Sequence, residues 1–163
     1  MRFIVYLVAY VVTILCLNVG FSYVPMVDTG FGLFSPMAVL AGLVFVLRDF
    51  VQREGGHLVL FGMAVGAGLS FVLADPYVAV ASVAAFAVSG LADWALYTLT
   101  RKPFHQRVLL SSLISTPVDT AVFLTLIDGM TVGTFALMVC AKMVAAVGIW
   151  LWYRPDTTRF GYP

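Results

Sequence analysis

Six runs of about 20 mostly apolar residues, separated by short polar breaks, leave this chain few folds to adopt. They lie near 3–24, 31–48, 57–74, 77–99, 108–127 and 131–153. A bilayer core about 30 Å thick is crossed by a helix of about 20 apolar residues, so each run is a candidate span. The breaks carry turn or charge signals: PMVDTG, RDFVQREGG, ADP, TRKPFHQR and DGM. Little chain is left over for a soluble domain. The 163 residues are 62% hydrophobic and 10% charged, with mean hydropathy +1.03. A soluble domain carries about 25% charged residues, so the expected solvent is lipid. The expected fold is a single all-α integral membrane domain over residues 1–163, with six transmembrane helices. The first run follows one basic residue and has no A-x-A site, so it reads as a retained helix rather than a cleaved signal.

Orientation follows from the basic residues. Arg2, Arg48, Arg53, Arg101, Lys102, Arg107, Arg154 and Arg159 fall on one side of a six-span arrangement, whereas the opposite loops hold Asp28, Asp75 and Asp128. Basic residues mark the cytoplasmic side, which predicts that both termini are cytoplasmic. Trp94, Trp150, Trp152, Tyr97 and Tyr153 cluster toward that same interface, as an aromatic belt does. The net charge of +1 argues against a nucleic-acid partner. Cys16 and Cys140 lie inside apolar runs without CxxC spacing and read as small core residues. No metal set, cofactor motif, P-loop or Ser-His-Asp arrangement is visible, so an enzyme is not expected. GFG at 30–32 reads as a turn, and His57 and His105 lie in connections too far apart to suggest a metal.

The functional signal lies in polar residues where lipid should tolerate none. Asp119 in SSLISTPVDTAVFLTLI and Lys142 in LMVCAKMVAAVGIW fall at similar depth on antiparallel neighbours, near the bilayer midplane. An ionised group there costs about 2.5–3.5 kcal/mol on insertion scales, and pairing offsets part of that. Asp93 is a third intramembrane carboxylate, and Asn18 adds a neutral donor and acceptor in the first helix. Ser112, Ser115, Thr116 and Asp119 stand at i, i+3, i+4 and i+7, which places them on one helical face. Pro117 within that run removes a backbone donor and tends to kink its helix. In FVLRDFVQREGGH, Arg48 and Arg53 serve as topology anchors, while Asp49 and Gln52 read either as an exposed interfacial pair or as cavity lining. Such ionisable residues mark solute or ion pathways more often than structural salt bridges. The substrate-binding set is therefore Asn18, Asp49, Gln52, Asp93, Ser115, Asp119 and Lys142. Gly62 and Gly66, with Gly68 and Ser70, offer a small-residue face for close packing, within the chain or as a homo-oligomer.

Several segments resemble the VUT family, the queuosine-precursor transporters: GLVFVLRDFVQREGG, VSGLADWALYTLTRK, SSLISTPVDTAVFL and CAKMVAAVG, in order, over residues 30 to 148. The resemblance implies a six-helix bacterial inner-membrane protein, or a phage-encoded copy. It would import 7-deazaguanines such as 7-cyano-7-deazaguanine (preQ0). It also implies that Asp49, Asp93, Asp119, Lys142 and Asn18 match polar positions of the family. Gly90 stands where many members have Glu, and Ser112 where a family Asn is expected. A deazaguanine offers N–H donors and a carbonyl acceptor. A carboxylate can take the donor edge and Lys142 can serve the carbonyl, with aromatic rings on the flat face. Two other readings stand beside this one: a membrane subunit that binds substrate for a separate ATPase module, and a structural membrane protein whose Asp119–Lys142 pair only specifies packing.

Overall fold

The computed structural model describes residues 2–99 and 103–152, so Arg101, Lys102, Tyr153, Arg154 and Arg159 lie outside the described residues. Six α-helices account for most of the described chain: α1 Arg2–Tyr23, α2 Met37–Gly55, α3 Val59–Leu73, α4 Pro76–Leu99, α5 Phe104–Leu126 and α6 Val132–Trp152. Five continuous stretches are long and apolar enough to cross a membrane, and one of these, Met37–Leu73, contains both α2 and α3. The chain is an all-α multi-pass membrane protein.

Side-chain neighbours fix the direction of each helix. Met37 of α2 lies against Gly20 and Gly55 against Phe3, so α2 runs antiparallel to α1. Gly62 of α3 meets Leu7 and Tyr10, and Gly66 meets Ile14, so α3 runs parallel to α1. The stretch Met37–Leu73 therefore folds back on itself. The reversal sits at a 3₁₀ turn, Gly56–Leu58, whose first residue has φ 56° and ψ −128°, a conformation open essentially to glycine alone. Tyr77 of α4 donates its hydroxyl to the Leu126 carbonyl of α5 at 3.0 Å, which sets that pair antiparallel. Gly42 lies against Lys142, with Ala38 and Met138 sharing one core cluster and Val46 and Ala146 another, so α2 and α6 run parallel. Odd helices point one way and even helices the other, so Arg2 and Trp152 lie at the same end of the bundle. Arg53 stacks over Phe104 and Arg107 over Tyr97 at that end, 4.7 and 5.1 Å from the ring centres. We call it the basic end.

The second helix corrects a sequence expectation. It starts six residues later than position 31 because Val27–Asp28 (β1) and Leu33–Phe34 (β2) form a small antiparallel hairpin. Gly30 turns the hairpin at φ 75°, where the Asp28 carboxylate accepts its N–H at 2.8 Å. Leu33 N–H donates to Thr134 Oγ1 at 2.9 Å, which ties the hairpin to the start of α6. At the other end α2 does not stop at Arg48 but runs to Gly55. Arg48, Asp49 and Gln52 find polar partners on α4 and α5, so their charge does not force the chain out into water.

The molecule is inverted relative to a soluble protein. Large apolar side chains such as Ile4, Val8, Phe61, Val72 and Val144 cover the outside, while Arg48, Asp49, Asp93, Asp119 and Lys142 are buried. Cys16 and Cys140 are exposed, contrary to the expectation of core positions. An apolar run says that a residue avoids water, but not whether lipid or protein covers it. The Gly62/Gly66 face is occupied within the chain by α1, whereas a Cβ at Gly68 would meet open space. α5 remains helical through Pro117.

Candidate functional site

The buried polar residues gather in two clusters. The first surrounds Lys142, the central residue of α6, with ten residues of the helix on either side. Lys142 Nζ donates to Asp119 Oδ2 at 2.7 Å and to Thr120 Oγ1 at 2.9 Å, both on α5. The other Asp119 oxygen accepts from Ser89 of α4 at 3.0 Å. Gly42 brings α2 against the Lys142 backbone so closely that a Cβ there would strike the carbonyl. Lys142 is 2% exposed and Asp119 8%, and the small opening at Asp119 faces a cavity.

Asn18 of α1 borders the same cavity and joins three helices. Its amide donates to Ser70 of α3 at 2.6 Å, and its carbonyl accepts from Ser82 of α4. The Ser70 hydroxyl passes its own proton back to the Gly66 carbonyl. Between these polar groups the cavity is walled by rings: Phe21, Phe45, Phe86 and Phe123. Phe21 and Phe123 lie 4.9 Å apart by centroid. The space open to the centre of a water molecule is about 20 Å³, enough for an ordered water and far too little for a planar base.

The second cluster lies toward the basic end. Arg48 is fully buried and donates to the Gly90 carbonyl at 3.0 Å and to Asp49 Oδ1 at 3.0 Å, and it ion-pairs with Asp93 Oδ2. The second Asp49 oxygen accepts from Ser111 of α5 at 3.2 Å. One step further out, Gln52 donates to Thr98 Oγ1 at 3.1 Å and to the Trp94 carbonyl at 3.4 Å. Trp94 in turn donates its indole N–H to His57 Nδ1 at 3.1 Å. Arg48 is thus no interfacial topology anchor. It sits seven residues before the end of α2 and bonds to neighbouring helices.

Of the seven residues singled out in the sequence, Asn18, Asp119 and Lys142 border the cavity. Asp49 and Asp93 belong to the Arg48 cluster, and Gln52 links α2 to α4. Ser115 donates back to the Ser111 carbonyl at 2.7 Å, as hydroxyls in helices commonly do. The exposed-pair reading of Asp49 and Gln52 fails, since they are 0% and 5% exposed. Sequence reasoning missed Ser82 and Ser89. Their signal was available, because Ser82, Ser89 and Asp93 stand at i, i+7 and i+11 on one face of α4. It also missed Thr120 and the four phenylalanines, which no spacing separates from ordinary core. Among the described residues, no group of three or more His, Cys, Asp or Glu gathers to hold a metal. No family model, no curated protein and no solved structure matches this chain.

Proposed function

We propose that the protein is a six-span transporter that imports a neutral, planar purine-like base of the 7-deazaguanine class into the cytoplasm. The observation that carries this reading is the central cavity: four phenylalanine rings around Asn18, Asp119 and Lys142. A flat heterocycle needs aromatic faces to stack on and a few polar groups at its edge. The carboxylate of Asp119 suits adjacent N–H donors, and the Lys142 ammonium suits a carbonyl. The resemblance of residues 30 to 148 to the queuosine-precursor transporters points to the same ligand class.

In this reading all six helices cross the bacterial inner membrane with the basic end in the cytoplasm. Arg2, Arg53 and Arg107 lie at that end, and the hairpin with Asp28 faces outward. Asp119 and Lys142 hold each other until the substrate offers replacement bonds. The cavity must widen for a base to enter, and the chain then alternates which end is open.

The test is uptake of 7-cyano-7-deazaguanine by a bacterium that cannot make queuosine precursors and lacks its own importer, with queuosine in tRNA as readout. The wild-type chain is expected to restore queuosine, and Asp119→Asn to lose it while remaining inserted. No restoration by correctly inserted wild type would overturn the reading.

A further inference from the structure

The Arg48 cluster carries one positive and two negative groups, so with all three ionised it holds a net charge of −1. All three side chains are fully buried, and Arg48 is the cation that pairs with both carboxylates. Titratable and charged groups surround the cluster, beginning with Arg53 of α2, one turn beyond Asp49. α1 contributes Tyr10, whose hydroxyl is fully buried and close enough to feel all three charges. α4 contributes Tyr97 one turn beyond Asp93, with Arg107 of α5 stacked over it. α5 otherwise presents the hydroxyl of Ser111. Lys142 of α6 is engaged with Asp119, and α3 has no titratable side chain. An uncompensated negative charge in this setting is costly, and a bound proton removes it.

The hydrogen bonds differ between the two carboxylates. Both oxygens of Asp49 accept hydrogen bonds, from Arg48 and from Ser111. Asp93 meets Arg48 through Oδ2, while its Oδ1 finds no donor although it is buried. The Tyr10 hydroxyl is buried and without a partner as well. A proton on Asp93 turns that carboxyl into a donor, and the buried Tyr10 oxygen is an acceptor without a partner. Arg48 Nε, Gln52 Oε1, Ser112 Oγ and Thr116 Oγ1 are also buried without partners. At the cavity, by contrast, Asn18, Ser82, Asp119 and Lys142 are bonded, the last two also to Ser89 and Thr120. Buried polar atoms are normally satisfied. Apart from Ser35 Oγ, just before α2, the unsatisfied atoms form a layer between the cavity and the basic end.

We propose that Arg48, Asp49 and Asp93 form a proton-binding site, with the proton carried on Asp93, that couples movement of the base to proton entry. This rests on the transport reading above. The proton binds a carboxyl oxygen from the outer aqueous phase while the basic end is shut. When that end opens, water solvates the layer, the O–H of Asp93 gives its proton to water on the cytoplasmic side, and the site returns to its anionic form.

The experiment uses the purified full chain in proteoliposomes with labelled 7-cyano-7-deazaguanine and a pH electrode outside. Exchange of internal for external base at equal pH tests the transport reading alone, and its absence in wild type removes that reading and this one together. With exchange present, an inside-alkaline gradient is expected to raise accumulation several-fold, with about one proton moved per base. Asp93→Asn is expected to bring that ratio close to zero. Wild-type accumulation that ignores the gradient, or a coupling ratio kept by Asp93→Asn, overturns the proposal. If the variant does not fold, the wild-type ratio decides alone.

Discussion

The two buried charge clusters use the same chemistry for different ends. Around Lys142 the charges balance one to one, the polar atoms are bonded, and Asp119 opens onto a cavity walled by phenylalanines. Around Arg48 two carboxylates share one guanidinium, polar atoms remain unpaired, and none of the three charged residues lines that cavity. The first cluster is built to exchange a partner, and the second to hold helices α2, α4 and α5 together until its charge changes. Being buried does not itself mark a binding residue. A binding residue is buried against a space, and a structural or switching one is buried against other side chains.

The sharpest way to break this contrast is Arg48→Leu. Removing the cation orphans two buried carboxylates, and breaking a buried pair costs about 3–5 kcal/mol. The expected result is failure to yield folded protein, read by thermal unfolding and gel filtration in detergent. Stable Arg48→Leu protein would mean that the cluster holds nothing together. Lys142→Met should be milder for the fold, since Asp119 can turn to the cavity, which has room for a water. It should be severe for transport, with uptake falling about 10- to 100-fold, because a hydrogen bond to a charged group contributes about 1.5–3 kcal/mol. Equal loss of stability in both variants would erase the distinction.

Smaller effects sharpen the picture. Gly42→Ala places a methyl against the Lys142 backbone carbonyl, which cannot swing away as a side chain can. Forcing α2 from α6 is expected to cost about 1–3 kcal/mol and to reduce uptake, as a melting temperature and a rate would show. Asn18→Leu removes the amide that joins α3 and α4 to α1. Hydrogen bonds between membrane helices average about 0.6 kcal/mol and reach about 1.7. That variant should therefore stay folded and fail mainly in substrate affinity.

How far the sequence foretold this arrangement differs by feature. The start of helix α6 was legible nearly to the residue, because its apolar run follows the turn residues Asp128 and Gly129. Helix α2 was not, since Arg48 and Asp49 look like an end when read alone, and only α4 and α5 supply the partners that let the helix continue. Lys142 and Asp119 announced themselves as charges with no water to face. Phe21, Phe45, Phe86 and Phe123 could not, because apolar rings on a membrane helix look alike whether they face lipid, core or cavity. Cys16 and Cys140 failed for the same reason. The reversal at Gly56 was readable as a Gly-Gly break with charge beside it, although its backbone conformation was not.

The central claim is that the Asp119–Lys142 pair handles the substrate and does not merely set packing. The most direct test replaces both together, Asp119→Leu with Lys142→Met, which removes the charges without orphaning either. Such double replacement of buried pairs is often neutral or stabilising. We expect folded, inserted protein that no longer takes up 7-cyano-7-deazaguanine in cells where the wild type does. Uptake at the wild-type rate by the double variant would contradict the account and leave the pair as packing alone.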